Sequence, residues 1–184
     1  KELADRNGIV YMEAIMCRPA HGREQLLSAL SQIGTLSTIR IDYSQLSSRY
    51  PRFLKGEHVN IFDMSLHAGA LMDLGIYCVY GAVDILGKPK NIHAVASFLS
   101  NGADGSGTAI FEYDCCNAVL TYSKTGQSVL GTEFVGDRGT VTVGMISQYA
   151  GISITCDGKT TELVGYPGRD VLMSGEAHRF ADYI

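Results

Sequence analysis

Residues 68–81 read AGALMDLGIYCVYG, and this stretch guides the interpretation of the whole chain. Small residues open it, and an apolar run of helical length follows. Polar side chains interrupt that run at spacings of four, three and four residues, at Asp73, Tyr77, Tyr80 and Asp84. On an α-helix these spacings place all four side chains on one face. The other positions are apolar almost all round, which predicts a buried helix.

Asp73 and Tyr77 are the strongest candidates for chemistry in this chain. A buried carboxylate is costly unless another group pairs with it. An acid and a phenol one helical turn apart therefore indicate a working pair that faces a cleft. A structural interpretation stays open beside it: Asp73 caps a neighbouring loop, and Tyr77 and Tyr80 are core aromatic residues with hydrogen-bonded hydroxyls.

The composition sets limits on the class of protein. The 184 residues are 46% hydrophobic and 18% charged, which suits one domain, or one domain with a fragment of another. The net charge is −4 and no cluster of Lys and Arg exceeds a pair, so no nucleic-acid partner is expected. No membrane partner is expected either, because Asp73 and Asp84 interrupt the one apolar run that approaches the roughly 18–20 residues of a span.

The cysteines and histidines indicate neither disulfides nor a metal. The five cysteines are odd in number, none has C-x-x-C spacing, and Cys115 and Cys116 are adjacent. Reduced thiols in a cytoplasmic protein are the simplest explanation. The five histidines are scattered without the spacing of a metal site, so no metal is predicted.

Local patterns predict an α+β fold. The first part of the chain is expected to form a helix ending at Gly8, an apolar strand at 9–16, an amphipathic helix at 22–34, a half-buried strand at 35–46 and a long loop at 48–67. After the helix that carries Asp73, seven strands are predicted near 91–100, 107–113, 117–123, 129–136, 139–145, 151–156 and 159–165. Turn sequences such as Asn101-Gly102, Asp104-Gly105 and Asp157-Gly158 separate them. This order predicts one large, mostly antiparallel open sheet with helices packed on one face.

Four segments of the chain resemble parts of one known family. KELADRNGIVYMEAIMCR (1–18) resembles the last helix and strand of that family's nucleotide domain. HAGALMDLGIYCV (67–79) resembles its G-G-G-x-L-x-D-x-G-x-[H/Y] signature, with His67 and Ala68 in place of two glycines. FVGDRGTVTV (134–143) and GEAHRFADYI (175–184) resemble its later strand–turn–strand and its final helix, entered at Glu176. The family is that of the glucose–fructose oxidoreductases and inositol dehydrogenases (Gfo/Idh/MocA), and the Tyr77-Cys-Val sequence looks most similar to its dihydrodiol and xylose dehydrogenase branch.

The resemblance implies a domain organisation and an activity. Members place a domain that binds NAD or NADP first and an α+β substrate and oligomerisation domain second. By position, residues 1–17 would be the last helix and strand of a nucleotide domain missing here, and 18–184 the second domain, truncated at its C-terminal end. The reaction would pass a hydride between the nicotinamide and a CH–OH carbon of a sugar, cyclitol or diol. The cofactor would be bound mainly by the missing domain, so this fragment is expected to be inactive alone. The glycine-rich segment 102–107 is not predicted to bind a dinucleotide, because it links two strands and opens no helix.

The resemblance also implies roles for individual residues. Tyr77 would donate or accept the hydroxyl proton, and Asp73 would orient the substrate or tune Tyr77. A phenol with an ordinary pKa of ~10 needs a nearby positive charge to work near neutrality, and the family's E-K-P lysine would supply one from the missing domain. Arg18, His21 and Tyr80 are candidates for substrate binding, although Arg18 is equally suited to a structural ion pair and His21 is better suited to a turn.

Two other hypotheses remain open beside that of a dehydrogenase domain. In one, the same fold acts as a non-catalytic sensor of a sugar or sugar phosphate. In the other, the chain is a module that dimerises through its sheet. The open sheet predicts a homodimer or tetramer in either case, because helices can cover only one of its faces.

Overall fold

Within the residues that the structure describes, eight strands pair in one sheet. The structure is a computed structural model, and it describes residues 1–12, 14–15, 22–168, 174, 177–178 and 180–184. The strands are β1 Leu36–Ser44, β2 Asn91–Phe98, β3 Asp104–Glu112, β4 Asn117–Ser123, β5 Thr132–Gly136, β6 Thr140–Met145, β7 Ala150–Cys156 and β8 Lys159–Val164. Their order in the sheet is β2-β3-β4-β1-β5-β6-β7-β8. Every neighbouring pair is antiparallel except β1 and β4, which are parallel.

The α-helices whose bounds lie within the described residues are α1 Glu2–Arg6, α2 Gly22–Leu30, α3 Tyr50–Leu54 and α4 Ile76–Leu86. A π-helical turn, Leu71–Gly75, leads directly into α4. The predicted helix end at Gly8 is confirmed, since α1 ends at Arg6 and Gly8 adopts the left-handed conformation with φ of +62°. The end predicted at Gly34 is wrong: α2 ends at Leu30, although Gly34 is also left-handed with φ of +81°.

The alternation along β1 separates the two faces of the sheet. Ile39 and Ile41 are fully buried, whereas Thr38 and Arg40, which point to the opposite face, are exposed. The buried side of the sheet forms one core with Leu26 and Ala29 of α2 and Cys78 and Ala82 of α4. The α+β fold, with a mostly antiparallel open sheet and helices on one face, is therefore confirmed.

Segment 48–67 is more ordered than a long loop, so that prediction is wrong. It contains α3 and two 3-10 turns, Asn60–Phe62 and Met64–Leu66. Pro51 in the first turn of α3 favours helix initiation. Phe62 is buried and packs against the rings of Tyr50 and Phe53 in a small second core. Sequence periodicity misses this core because each helical piece is too short to show a period.

The strand expected at 9–16 is absent from its described residues. Positions 9–12 and 14–15 have no regular secondary structure. A strand needs a hydrogen-bonded neighbour, and the two edges of the sheet are β2 and β8, which pair only with β3 and β7. The apolar composition of this segment was therefore not sufficient to identify a strand.

Asp104-Gly105 is not a turn, although its sequence is typical of one. The turn precedes it, at Gly102 with φ of +88°, and β3 already begins at Asp104. The Asp104 carboxylate accepts a hydrogen bond from the backbone N–H of Leu71 at 2.6 Å. This long-range contact replaces the local hydrogen bond that Asp makes in a turn.

The helical segment that carries Asp73 is buried on one side only, so the prediction of burial all round is wrong. Cys78 and Ala82 are fully buried against the sheet, but Met72 is 61% exposed and Val83 is 42% exposed. By length and apolar composition, Met64–Leu86 also meets the requirement for a membrane-spanning helix. The core helix of a globular domain meets the same requirement, and this one packs on the sheet.

Candidate active site

A cleft of about 470 Å³ lies where β1 and β4 end, and Asp73 and Tyr77 both line it. Because β1 and β4 are parallel neighbours, their carboxyl ends lie side by side, with Ser44 opposite Ser123. The residues that follow the two strands therefore come together at these strand ends. The lining residues are Tyr43, Gln45, Leu46, Ser47, Ser48, Arg49, Ile61, Asp73, Leu74, Tyr77 and Lys124.

The π-helical turn places Asp73 over the carboxyl ends of β1 and β4. Gly69 has no room for a side chain, because a Cβ there would lie 1.9 Å from the Asp104 carboxylate. Gly75 lies against the ring of Tyr122 on β4, at a distance that leaves no space for a Cβ. The small residues of the signature segment thus allow the turn to approach the sheet closely. Such π-turns are frequent at functional sites.

Lys124 is the residue that the sequence did not reveal. It directly follows β4, and its side chain is only 5% exposed. Its ammonium forms an ion pair with Asp73, whose side chain is 55% exposed. Burial, followed by the positive charge of Arg49, lowers the pKa of Lys124 from 10.5 to about 8.

The Tyr77 ring is fixed by an aromatic contact with β1. Its centroid lies 5.8 Å from that of Tyr43, and the two ring planes meet at 68°. Edge-to-face pairs of this kind contribute about 0.5–1.5 kcal/mol beyond their buried area. The contact restricts where the Tyr77 phenol can reach, which is a requirement for a group that transfers a proton in a defined geometry.

Asp84, on the same face of the helix, belongs to a separate network. Its carboxylate accepts hydrogen bonds from Arg23 Nε at 2.8 Å and Nη2 at 2.9 Å, and from the Tyr149 hydroxyl at 2.9 Å. The hydrogen bond to Asp84 raises the pKa of Arg23 above its ordinary value. This network joins α2, α4 and the segment before β7, which is a structural role.

The predicted site residues therefore separate into two groups. Asp73 and Tyr77 lie together in the cleft. Tyr80 is not among the residues that line it, and lies close enough to Arg23 to contribute to that residue's raised pKa. Arg18 and His21 lie outside the described residues, so their placement stays a prediction.

The described residues provide no cradle for a dinucleotide. In that part of the chain, no strand leads through a glycine-rich turn into the N-terminus of a long helix, which is where a pyrophosphate binds. The strand β1 leads to the short α3, and β2 to β8 follow one another without an intervening α-helix. The same residues contain no group of three or more His, Cys, Asp or Glu side chains arranged to hold a metal ion.

Comparison with known families assigns the chain. Residues 27–142 match the model of the GFO/IDH/MocA C-terminal domain. The chain belongs to this oxidoreductase family. It is 36% identical over 181 residues to the scyllo-inositol 2-dehydrogenase (NADP(+)) IolU of Bacillus subtilis, covering 98% of this chain and 55% of that protein. It is 30% identical over 141 residues to human trans-1,2-dihydrobenzene-1,2-diol dehydrogenase, covering 71% and 40% respectively.

Solved structures show the same GFO/IDH/MocA fold. A 3-ketoreductase from Actinomadura kijaniata, in complex with NADP and TDP-benzene, superposes with a TM-score of 0.80 at 19% identity, over 98% of this chain and 56% of that one. An aldose-aldose oxidoreductase from Caulobacter crescentus, complexed with glycerol, gives 0.77 at 15% identity, over 98% and 55%. The chain spans about half the length of these relatives. The sequence resemblance to this family is therefore confirmed.

Proposed function

We propose that this chain is the substrate-binding and oligomerisation domain of an NAD(P)-dependent oxidoreductase that acts on a CH–OH group of a sugar, cyclitol or related diol. The observation that carries the proposal is the meeting of Asp73, Tyr77 and Lys124 in one cleft at the carboxyl ends of two parallel strands. The activities for which the relatives are named, on scyllo-inositol and on a dihydrodiol, support this substrate class.

The polar lining of the cleft suits a polyhydroxylated substrate. Gln45, Ser47 and Ser48 supply hydrogen-bond donors and acceptors beside the charged groups. Its volume of about 470 Å³ falls within the roughly 300–1,000 Å³ of small-molecule sites. Tyr77 would exchange the proton of the reacting hydroxyl, and the Asp73 carboxylate would accept a hydrogen bond from a neighbouring hydroxyl.

The cofactor and the remaining structure follow from the same proposal. NAD or NADP supplies the hydride chemistry, and it would be bound mainly by a nucleotide domain to which residues 1–17 belong. Exposed apolar side chains at Ile9 and Tyr11, 62% and 63% exposed, suit a segment that packs against such a domain. The free thiols of the described cysteines suit a cytoplasmic location.

The test is turnover by the full-length protein that contains this chain. Reduction of NAD and NADP is followed by absorbance with a panel of cyclitols, aldoses and vicinal diols, and the reverse reaction with the matching ketones. We expect turnover with at least one panel member. Tight binding of a sugar phosphate without turnover of any member would contradict the proposal and support the sensor.

A further inference from the structure

Lys124 occupies a position that structural stability does not explain. Its backbone is fixed on both sides, because its N–H donates to the Gly105 carbonyl and its own carbonyl accepts from the Ser47 N–H, each at 2.9 Å. The side chain is thereby placed in the interior, where an ammonium group is costly to bury. A methionine or leucine at this position would avoid that cost.

The surroundings of Lys124 are asymmetric. A buried structural ion pair normally encloses both partners, but here the cation is enclosed while the Asp73 carboxylate faces the cleft, with 55% of its side chain exposed. The second cation of the cleft, Arg49, opposes the charge of Lys124 rather than stabilising it. Groups held at an energetic cost beside a cleft are typical of functional sites.

We propose that Lys124 is a positioning residue that fixes the orientation of the Asp73 carboxylate in the cleft that Tyr77 also lines. This domain would then supply three residues of the site: Tyr77 for proton transfer, Asp73 for substrate orientation and Lys124 for positioning Asp73. This inference rests on the proposed function and extends it with a positive charge independent of the nucleotide domain. Since an ionised carboxylate only accepts hydrogen bonds, Asp73 would select substrates with a hydroxyl next to the reacting one.

The first test compares variants of the full-length protein. Lys124→Met should lower kcat by roughly 10–100-fold, the cost of misplacing a group in an active site, with a smaller change in KM. Stability should hold or rise, because Asp73 is exposed enough to be hydrated and the buried charge is gone. Lys90→Met is the matched control, because it also removes a lysine from an ion pair. Lys90 pairs with Asp114 on the surface, where the two side chains are 60% and 81% exposed, and its loss should leave kcat unchanged. A Lys124→Met protein with unchanged kcat and a lowered melting temperature would overturn the inference.

A double-mutant cycle separates this role from an independent one. If Lys124 acts through Asp73, adding Lys124→Met to Asp73→Asn should lower kcat no further. Additive losses would overturn the inference while leaving the proposed function in place.

The affinities of the same four proteins for myo-inositol, measured by calorimetry, give a second cycle. Binding of myo-inositol without turnover by the wild type would contradict the proposed function alone. The inference would then be decided by whether the losses of affinity in Lys124→Met and Asp73→Asn add in the double variant. Absence of both turnover and binding would overturn both.

Discussion

At the residue scale, two acids on one helix face have different surroundings and different consequences. Asp84 accepts hydrogen bonds from Arg23 and Tyr149 and is only 14% exposed. Asp73 has one buried cation behind it and the cleft in front. The helical periodicity predicts both acids on one face of the helix, but only Asp73 lines the cleft.

The lowered pKa of Lys124 predicts how stability depends on pH. The folded protein releases the Lys124 proton at about pH 8, whereas the unfolded chain holds it until about 10.5. Between these values the unfolded state binds more protons, so this group makes the folded state more stable as the pH rises. We expect the melting temperature of the wild type, relative to Lys124→Met, to increase from pH 7.5 to 9.5 in thermal unfolding experiments.

The difference between the two proteins is the informative quantity, because other titrating groups contribute to both. A difference that stays flat or decreases over this range would show that Lys124 is not held in a desolvated, positively charged environment.

At the scale of elements, the π-helical turn depends on the absence of a side chain at Gly69. Gly69→Ala would push a Cβ into the Asp104 carboxylate, which accepts the Leu71 N–H. Loss of this contact should destabilise the protein by about 1–3 kcal/mol and displace Asp73. Urea unfolding measures the first effect, and turnover of the full-length protein the second.

Gly126→Ala is the control for this prediction. Its nearest neighbour, Ser123 Oγ, would lie at an ordinary 3.7 Å from the new Cβ, and its φ is not in the left-handed region. We expect little change in its unfolding midpoint. Equal midpoints for Gly69→Ala and Gly126→Ala would contradict the packing described for the turn.

The elements also show what sequence patterns can predict. The strands from β2 to β8 follow their predicted positions within a few residues, because alternation and turns such as Asp157-Gly158 are local signals. The location of Asp73 and Tyr77 on the same cleft also agrees with their helical spacing. Lys124, the role of Asp104 and the small core around Phe62 depend on contacts between segments distant in sequence, and local patterns carry no signal for them.

At the scale of the whole molecule, the face of the sheet opposite the helices predicts self-association. Val119 of β4 and Ile110 of β3 lie opposite each other on that face, and Ile110 is 41% exposed. We expect a homodimer or tetramer through this face, with light scattering reporting at least twice the chain mass at tens of micromolar, a concentration suited to interfaces of standard size.

Two valine substitutions locate the interface. Val119→Arg places a charge on the open face and should shift the protein toward monomer. Val129→Arg introduces the same charge at a loop position that is 92% exposed and should leave the mass unchanged. A monomeric wild type at these concentrations would refute association through the sheet.

The role of Tyr77 in proton transfer is tested by the steady-state kinetics of Tyr77→Phe and Tyr80→Phe in the full-length protein. The two changes remove the same hydroxyl from the same helix, but only Tyr77 lines the cleft with Asp73. We expect Tyr77→Phe to lower kcat by roughly 10²–10⁴-fold, the range for a lost general acid or base, with a much smaller change in KM. We expect Tyr80→Phe to have a small effect. Near wild-type turnover in Tyr77→Phe, together with a large loss in Tyr80→Phe, would contradict this role of Tyr77.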